Sequence, residues 1–512
     1  MRITRQFVAY VAAGALAACK VGPNFTPPHQ QVPEEYAGAK NPDTGAAHDG
    51  TAPQPSTANP PTSFWWQQFH DPALDHLEER AAAGNLDLQA AFLRIVEARE
   101  QVQSARAQGL PSLDASAKYT REQLGLAGII KSKHIDVGAG SPTAGLISSL
   151  ESPVNVYQLG FDASWELDLF GKVRRSIEAA DARSTGAQES RNDLLVSLEA
   201  EVAQDYFQLR AGQMLRSITA AQINAQRDVL DLTQSRQRHG LAGEADVESA
   251  RAQLSTLQSE LPPYEQSIAT ARHALAVLTG LTPESMDADF DDPADLPAPP
   301  AEIPVGIPST LARRRPDIRQ SEAALHAATA QVGVSVASLF PDISLTGTLG
   351  LRNTSPGYLF DWDSKFYTFG PTVSVPIFHG GALVSDVRLS RALAAEAALN
   401  YRKTVLNALQ EVEDGLTAVH QDAARTSSLR EAITADQRAF DIDLDAYRHG
   451  LATYITVLTV QIQMIQARQQ LAQALLTQNS DLVKLYKALG GGWEDVPENT
   501  GASPPRAGAS PD

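Results

Sequence analysis

The chain has 512 residues and a formal net charge of −18, a balance that argues against a nucleic-acid partner. Charged residues are 20% and aromatic residues only 6%, which does not describe an aromatic-rich enzyme core. No apolar run reaches the roughly 18 residues that a membrane-spanning helix needs.

Arg2 and Arg5 give the chain a positive start. Phe7 to Ala18 is an apolar run too short to span a bilayer and suited to the core of a signal peptide, expected over residues 1–18. It ends in Leu16-Ala17-Ala18-Cys19, which resembles a bacterial lipobox. In such signals the thiol takes a diacylglycerol and the new amino terminus is acylated, so Cys19 is the expected lipid attachment point. The plain alternative is a signal peptide that happens to contain a cysteine. Lys20, rather than Asp, follows, so the usual signal for retention in the inner membrane is missing. Several acyl chains give stable anchoring. Cys19 is the one cysteine, which rules out a disulfide framework.

Residues 19–62 are rich in Pro, Gly, Ala and Thr and read as an extended arm, with Trp65, Trp66 and Phe69 anchoring its end. Asp71-Pro72 starts a helix, an N-cap followed by Pro at N1. The helix runs to about Gln108 with a break near Gly84-Asn85, and Pro111 introduces a first strand over about 112–120. A Gly- and Ser-rich loop over 122–155 leads to a second strand over about 156–169. From Lys172 to His239 there is no proline, 68 residues in all, or about 100 Å of unbroken helix. Gly240 stops it. A return helix runs from about Glu244 to Thr279, with a kink expected at Pro262-Pro263. An Asp- and Pro-rich stretch follows, with a linker placed at 291–308. Arg315-Pro316-Asp317 then starts a helix to about Ser338, and strands are expected over about 342–352 and 366–378. A helix from Ala382 to His449 is again 68 residues long, Gly450 stops it, and a last helix runs to Leu489. A disordered tail is expected over 491–512.

The four strands alternate with period two. Leu113, Ala115, Ala117 and Tyr119 interleave with Asp114, Ser116 and Lys118. Tyr157, Leu159, Phe161, Ala163, Trp165, Leu167 and Leu169 interleave with polar residues and Gly160, and the pattern recurs from Ile343 and from Tyr367. An ordinary sheet with one buried face would alternate in this way too. Three details favour membrane strands. The runs are about 9–13 residues long, enough to cross a bilayer when tilted. Aromatics flank them, with Tyr119, Tyr157, Trp362, Phe366 and Tyr367 at one end and Trp165, Phe170, Phe340 and Phe378 at the other. Asp162, Glu166 and Asp168 on the polar side suit a wet lumen. The smallest membrane barrels need about eight strands, and an open edge in lipid leaves unpaired backbone groups, so the chain is expected to borrow strands from copies of itself.

The chain is also duplicated. Arg238-His239-Gly240-Leu241-Ala242 is matched letter for letter by Arg448-His449-Gly450-Leu451-Ala452. The offset is that of a doubled domain, not a solenoid, with one repeat over 63–290 and the other over 309–490. Val405, Leu409, Val412, Leu416 and Val419 form a coiled-coil seam, as do Leu195, Leu198, Val202, Tyr206 and Leu209. A solitary coiled-coil rod is the simpler reading of such helices alone; their direct junction to the strands favours a helical tube continuing a barrel.

These stretches resemble the TolC-type outer-membrane efflux proteins, in particular the NodT-like lipoprotein branch. The resemblance rests on Cys19-Lys20-Val21-Gly22-Pro23-Asn24-Phe25, Trp65-Trp66, Asp71-Pro72, Arg314-Arg315-Pro316-Asp317-Ile318, Leu339-Phe340-Pro341, Pro376-Ile377-Phe378 with Gly380-Gly381, and Leu485-Tyr486-Lys487-Ala488-Leu489-Gly490. It implies a mainly α fold with membrane β-strands, and a homotrimer whose four strands per protomer make a twelve-stranded β-barrel continued by a long α-helical periplasmic barrel. It implies outer-membrane lipid as surroundings, and a periplasmic adaptor and an inner-membrane pump of the resistance-nodulation-division class as partners. It also implies that the periplasmic end is closed near the two helix–turn–helix tips. Asp246 and Tyr447 match positions that form a closing contact. Thr456 and Thr459 fall where relatives often place aperture carboxylates, and Ala452 where arginine is common, so a charged ring is in doubt. Glu244, Asp246 and Glu248 offer charge from the first tip instead, or are simply acids at a helix start.

His239 with Gly240 and His449 with Gly450 are tip candidates for adaptor contact or pH sensing; helix C-capping explains them as well. Arg313-Arg314-Arg315 reads as a helix-end charge cluster. Gly171-Lys172 lacks the rest of a P-loop, and the histidines show neither HExxH nor a close ligand pair. No nucleophile–base signature is visible, and no cofactor is expected. The expected function is therefore a passive exit channel for small molecules. The rivals are an outer-membrane duct for type I protein secretion, a structural envelope lipoprotein without a pore, and a lipoprotein enzyme.

Overall fold

The computed structural model describes residues 20–28, 32–38, 54–56, 63–123, 153–285 and 295–494. Cys19 and the expected signal peptide, most of the loop between the first two long strands, and 495–512 lie outside the described residues. The elements in order are β1 (Gln54–Ser56), α1 (Pro72–Gly84), α2 (Leu86–Ala107), β2 (Ser112–Glu122), β3 (Val154–Glu166), α3 (Lys172–Arg238), α4 (Glu244–Ser259), α5 (Leu261–Leu278), β4 (Glu302–Pro304), α6 (Pro308–Arg314), α7 (Pro316–Ala337), β5 (Asp342–Asn353), β6 (Lys365–Ser374), α8 (Ala382–Arg448) and α9 (Tyr454–Ala488). They divide into two compact units. One comprises Met1–Pro27, Glu97–Ser184 and Ala324–Ala398; the other comprises Pro28–Val96, Thr185–Ala323 and Leu399–Asp512.

The first unit is built on a four-stranded antiparallel sheet in the order β2-β3-β5-β6. Its register preserves the parity of the sequence pattern. Ala117 lies opposite Leu159, and Leu159 opposite Leu351; Leu349 lies opposite Tyr367, and Ile343 opposite Val373. Directly opposed residues share a face, so one face is apolar across all four strands. The other carries Asp114 opposite Asp162, and Asp162 opposite Thr348. The apolar face is bare: Leu113 is 70%, Phe161 54% and Tyr367 79% exposed. A face of this extent is tolerated in lipid and not in water. At one end the rings of Tyr119 and Tyr157 meet at 5.1 Å, and at the other Phe170 stacks on Phe340 at 4.9 Å.

β3 stops at Glu166, three residues before the expected end. Asp168 turns its carboxylate onto the first turn of α3, where it accepts from the Arg174 backbone N–H at 2.9 Å and from Arg174 Nε at 3.2 Å. β6 ends at Ser374 instead of near 378, because Pro376 has no N–H to give a ladder.

In the second unit the expected seams are buried except at Leu409, which is half-buried: Leu195, Leu198, Val202, Tyr206, Leu209, Val405, Val412, Leu416 and Val419 are at most 5% exposed. Asp71 caps α1, with Oδ1 accepting from Ala73 N at 2.9 Å. Trp65 stacks on Tyr486 at 5.1 Å and Phe69 packs on Phe207 at 4.9 Å, so the aromatic cluster does hold the end of the arm. The arm itself is stitched down before that. Ala37 N and Gly38 N donate to the two oxygens of the Glu413 carboxylate at 2.7 and 2.8 Å, and β1 pairs in parallel with β4. The expected linker at 291–308 therefore contains a strand and the first residue of a helix. The helix expected to kink at Pro262-Pro263 is broken there instead: α4 ends at Ser259 and α5 begins at Leu261. Residues 491–494, expected to be disordered, are docked. Trp493 Nε1 donates to the Arg314 carbonyl at 3.1 Å, Arg319 lies over its ring at 4.8 Å, and Arg314 pairs with Glu494 at 2.7 Å.

Candidate functional site

The candidate site is the pair of helical tips in the second unit, α3 turning into α4 and α8 turning into α9. The repeated pentapeptide builds the same turn twice. Gly240 and Gly450 have φ of 72° and 78°, the left-handed region that glycine enters without steric cost. Leu241 N donates to Arg236 O and Gly240 N to Gln237 O, at 2.8 and 2.9 Å. Leu451 N donates to Ala446 O and Gly450 N to Tyr447 O, at 2.8 and 3.0 Å. This pair of bonds is the Schellman helix ending. Each histidine then places Nδ1 against the carbonyl four residues back, His239 on Ser235 O at 2.7 Å and His449 on Asp445 O at 2.9 Å. That is capping geometry.

Asp246 is turned to its own helix start, its Oδ2 accepting from Gly243 N at 3.0 Å. Tyr447 is buried, and its hydroxyl donates to Thr233 Oγ1 at 3.3 Å. Within one chain, no hydrogen bond joins Asp246 to Tyr447 among the described residues. The partner of Tyr447 is Arg236 from the other hairpin. The guanidinium lies 4.6 Å over the tyrosine ring, and Nη1 donates to the Tyr447 carbonyl at 2.5 Å. Thr456 and Thr459 are exposed on α9; Thr456 Oγ1 lies 3.1 Å from Thr453 Oγ1, and Thr459 Oγ1 donates to Ile455 O at 2.8 Å.

Behind the tips a buried polar ladder joins the hairpins. Gln461 Nε2 donates to Gln226 Oε1 at 2.8 Å, and Gln226 Nε2 donates to Ala250 O at 2.9 Å and to Tyr454 Oη at 3.3 Å. Burial pushes the Tyr454 phenol up, against the hydrogen bond from Gln226. The Tyr447 and Tyr454 rings lie 6.0 Å apart in an apolar cluster with Val229, Phe440, Val457 and Met464. Sequence reading missed Arg236, Gln226 and Gln461. The available signal was Tyr454, a bulky aromatic just inside a helix start where the other repeat has Glu244.

The sequence model of the family described as "Outer membrane efflux protein" matches residues 77–281 and 307–491. The chain belongs to that family. It is 30% identical over 490 residues to the probable efflux pump outer membrane protein TtgC of Pseudomonas putida, covering 94% of each chain. It is 30% identical over 483 residues to nodulation protein T of Rhizobium leguminosarum bv. viciae, covering 93% of this chain and 92% of that one. Among solved structures it is similar to the outer-membrane channel OprN, with a TM-score of 0.80 at 31% identity, covering 93% of this chain and all of the other. The open state of the MtrE outer membrane channel of Neisseria gonorrhoeae gives a TM-score of 0.74 at 26% identity, over 93% of this chain and 99% of that one. As a member of this family the chain is an outer-membrane efflux channel component and not an enzyme.

Proposed function

We propose that three copies of this chain close one wall in the outer membrane and form the exit channel of a tripartite efflux pump. The observation that supports this most is the sheet. It has a continuous apolar face, a polar face carrying charge, and two edges, β2 and β6, without a strand partner among the described residues. Four strands leave those edges unsatisfied in lipid; twelve from three copies close a ring around water. Partners follow from this reading: a periplasmic adaptor and an inner-membrane pump of the resistance-nodulation-division class. The cargo is small molecules selected by the pump. Relatives named for antibiotic efflux and for toluene efflux, both from Pseudomonas putida, fit that class. On this reading the chain breaks no covalent bond, and solute diffuses through water.

Within this proposal Cys19 carries the lipid anchor, the repeats at 63–290 and 309–490 supply two strands and one long hairpin each, and the tips form the periplasmic aperture. Asp246, Thr456 and Thr459 are then the tip groups facing neighbouring copies, and His239, Gly240, His449 and Gly450 the turn that an adaptor meets. Planar-bilayer recording of the purified protein tests it. Stepwise conductance that grows when the tips are loosened is expected; a silent bilayer with both native and tip-loosened protein would overturn the channel reading.

A further inference from the structure

Residues 20–25 do not lie loosely on the first unit. Arg175, on the first turn of α3, is fully buried. Its Nε donates to Val21 O at 3.2 Å, its Nη2 to Gly22 O at 3.3 Å and to Asn24 Oδ1 at 2.8 Å, and its Nη1 to Glu178 Oε2 at 2.8 Å. Lys20 Nζ reaches the same Glu178 oxygen at 2.5 Å, while His326 Nε2 lies 3.1 Å from Oε1. The Phe25 ring stacks on His326 at 4.3 Å, and Val21 N donates to Phe170 O at 3.2 Å. Burial alone would raise the Glu178 carboxyl; hydrogen bonds from Lys20, His326 and Arg175 outweigh it and hold the group down at about 2.

Two glycines make the approach possible. A Cβ on Gly22, where φ is +88°, would sit 2.6 Å from Gly333 Cα, and a Cβ on Gly333 would sit 2.7 Å from Arg175 Cδ. The segment, the α7 backbone and the guanidinium are thus layered with no room for a methyl group. Among the described residues, three of the four acceptors of the buried guanidinium come from the segment. With the segment gone, a buried charge would lose most of its partners, which is costly.

We infer that Arg175, Glu178, His326 and Gly333 form a peptide-recognition socket for the chain's own residues 20–25. The socket fixes where the chain leaves its lipid anchor, next to the Phe170–Phe340 ring pair. This rests on the reading of Cys19 as the acylated residue. Val21 N on Phe170 O and Lys20 on Glu178 hold the start of the segment at the end of the sheet where Phe170 meets Phe340. Lys20 supplies the charge that is read, Gly22 the fit, and Asn24 and Phe25 the polar and stacking contacts.

The test uses the full-length purified protein with a nitroxide at Pro23→Cys, an exposed position, and the labelled residue assigned by peptide mass. An immobilised spectrum is expected. Gly22→Ala, Asn24→Ala and Glu178→Gln should each raise the mobile population about tenfold or more. Helix content by circular dichroism confirms that each variant is folded; Asn24, on the surface, is the variant least able to disturb the rest. A label already mobile in the parent, or one that stays immobilised in Asn24→Ala and in the other folded variants, overturns the socket. The mass of the N-terminal peptide reports acylation separately. An immobilised label on an unacylated chain keeps the socket and removes the anchor; an acylated chain with a mobile label does the reverse.

Discussion

Glu78 and Glu199 are each 2% exposed, and Glu78 Oε1 and Oε2 and Glu199 Oε2 find no hydrogen-bond partner among the described residues. Burial, then the Glu199 charge, then the Asp75 charge hold the Glu78 carboxyl well above its usual range; burial does the same to Glu199 against Arg191. An acid whose folded pKa is raised binds its proton more tightly when folded. Its contribution to stability is therefore complete below the unfolded value, near 4.5, and is lost as pH climbs through the folded value. Glu78→Gln, which keeps the shape and removes the ionisation, should stabilise the protein by about 1–3 kcal/mol at pH 8 and hardly at all at pH 4.5. Thermal melts followed by circular dichroism at the two pH values check this. Asp205, half-buried near Glu201, and Asp422, half-buried beside Asp481, are both pushed up to about 6, by burial first and then by the neighbouring carboxylate, and act in the same direction. The stability they contribute is lost as pH rises from below 4 to above 6. None of these carboxylates stands out in the sequence, because their burial is set by residues far along the chain; Gly492 packs onto Glu199 from nearly the other end.

At the scale of elements, the tip turns were legible because two local signals coincide: a basic residue and histidine in the last helical turn, then glycine. Gly450→Ala forces an alanine to φ near 78° and should cost about 1–2 kcal/mol. Faster hydrogen exchange at the Gly450 and Leu451 amides, with the body of α8 unchanged, is the expected readout. The latch between tips was not legible. Arg236 binds a carbonyl 211 residues away, and arginines near helix ends are common for local reasons. Arg236→Ala removes a charge-assisted hydrogen bond and a ring contact, together about 2–3 kcal/mol. Single-channel recording should then show a larger open population than the parent; an unchanged record would mean that the latch does not govern opening. The pairing of β1 with β4 was hidden for a different reason. Each strand has three residues in a Pro-rich stretch, too short for alternation to register. The long strands were readable because a full register repeats the period-two pattern four times.

For the molecule as a whole, the decisive property is that the apolar face runs unbroken across all four strands. Leu159 lies near its middle, opposite Ala117 on one side and Leu351 on the other. Leu159→Lys should destabilise the membrane-embedded form by about 2–4 kcal/mol. Ser116→Lys, one strand over on the polar face, should cost far less. Separation of membrane-integrated from extractable protein after an alkaline wash distinguishes the two. Equal behaviour of the two lysine variants would contradict the assignment of faces. The expectation that the chain borrows strands from copies of itself came from counting: four strands with sound faces and unsatisfied ends have no other way to close.

The two exposed edges of the sheet have a genetic consequence. Where a wall is completed only by neighbours, one faulty subunit spoils the product of two sound ones. A copy altered at β2 so that it cannot pair, co-expressed at parity with the native gene, would leave roughly one assembly in eight free of it. Resistance to pump substrates would then fall much further than gene dosage, and the defective allele would behave as dominant.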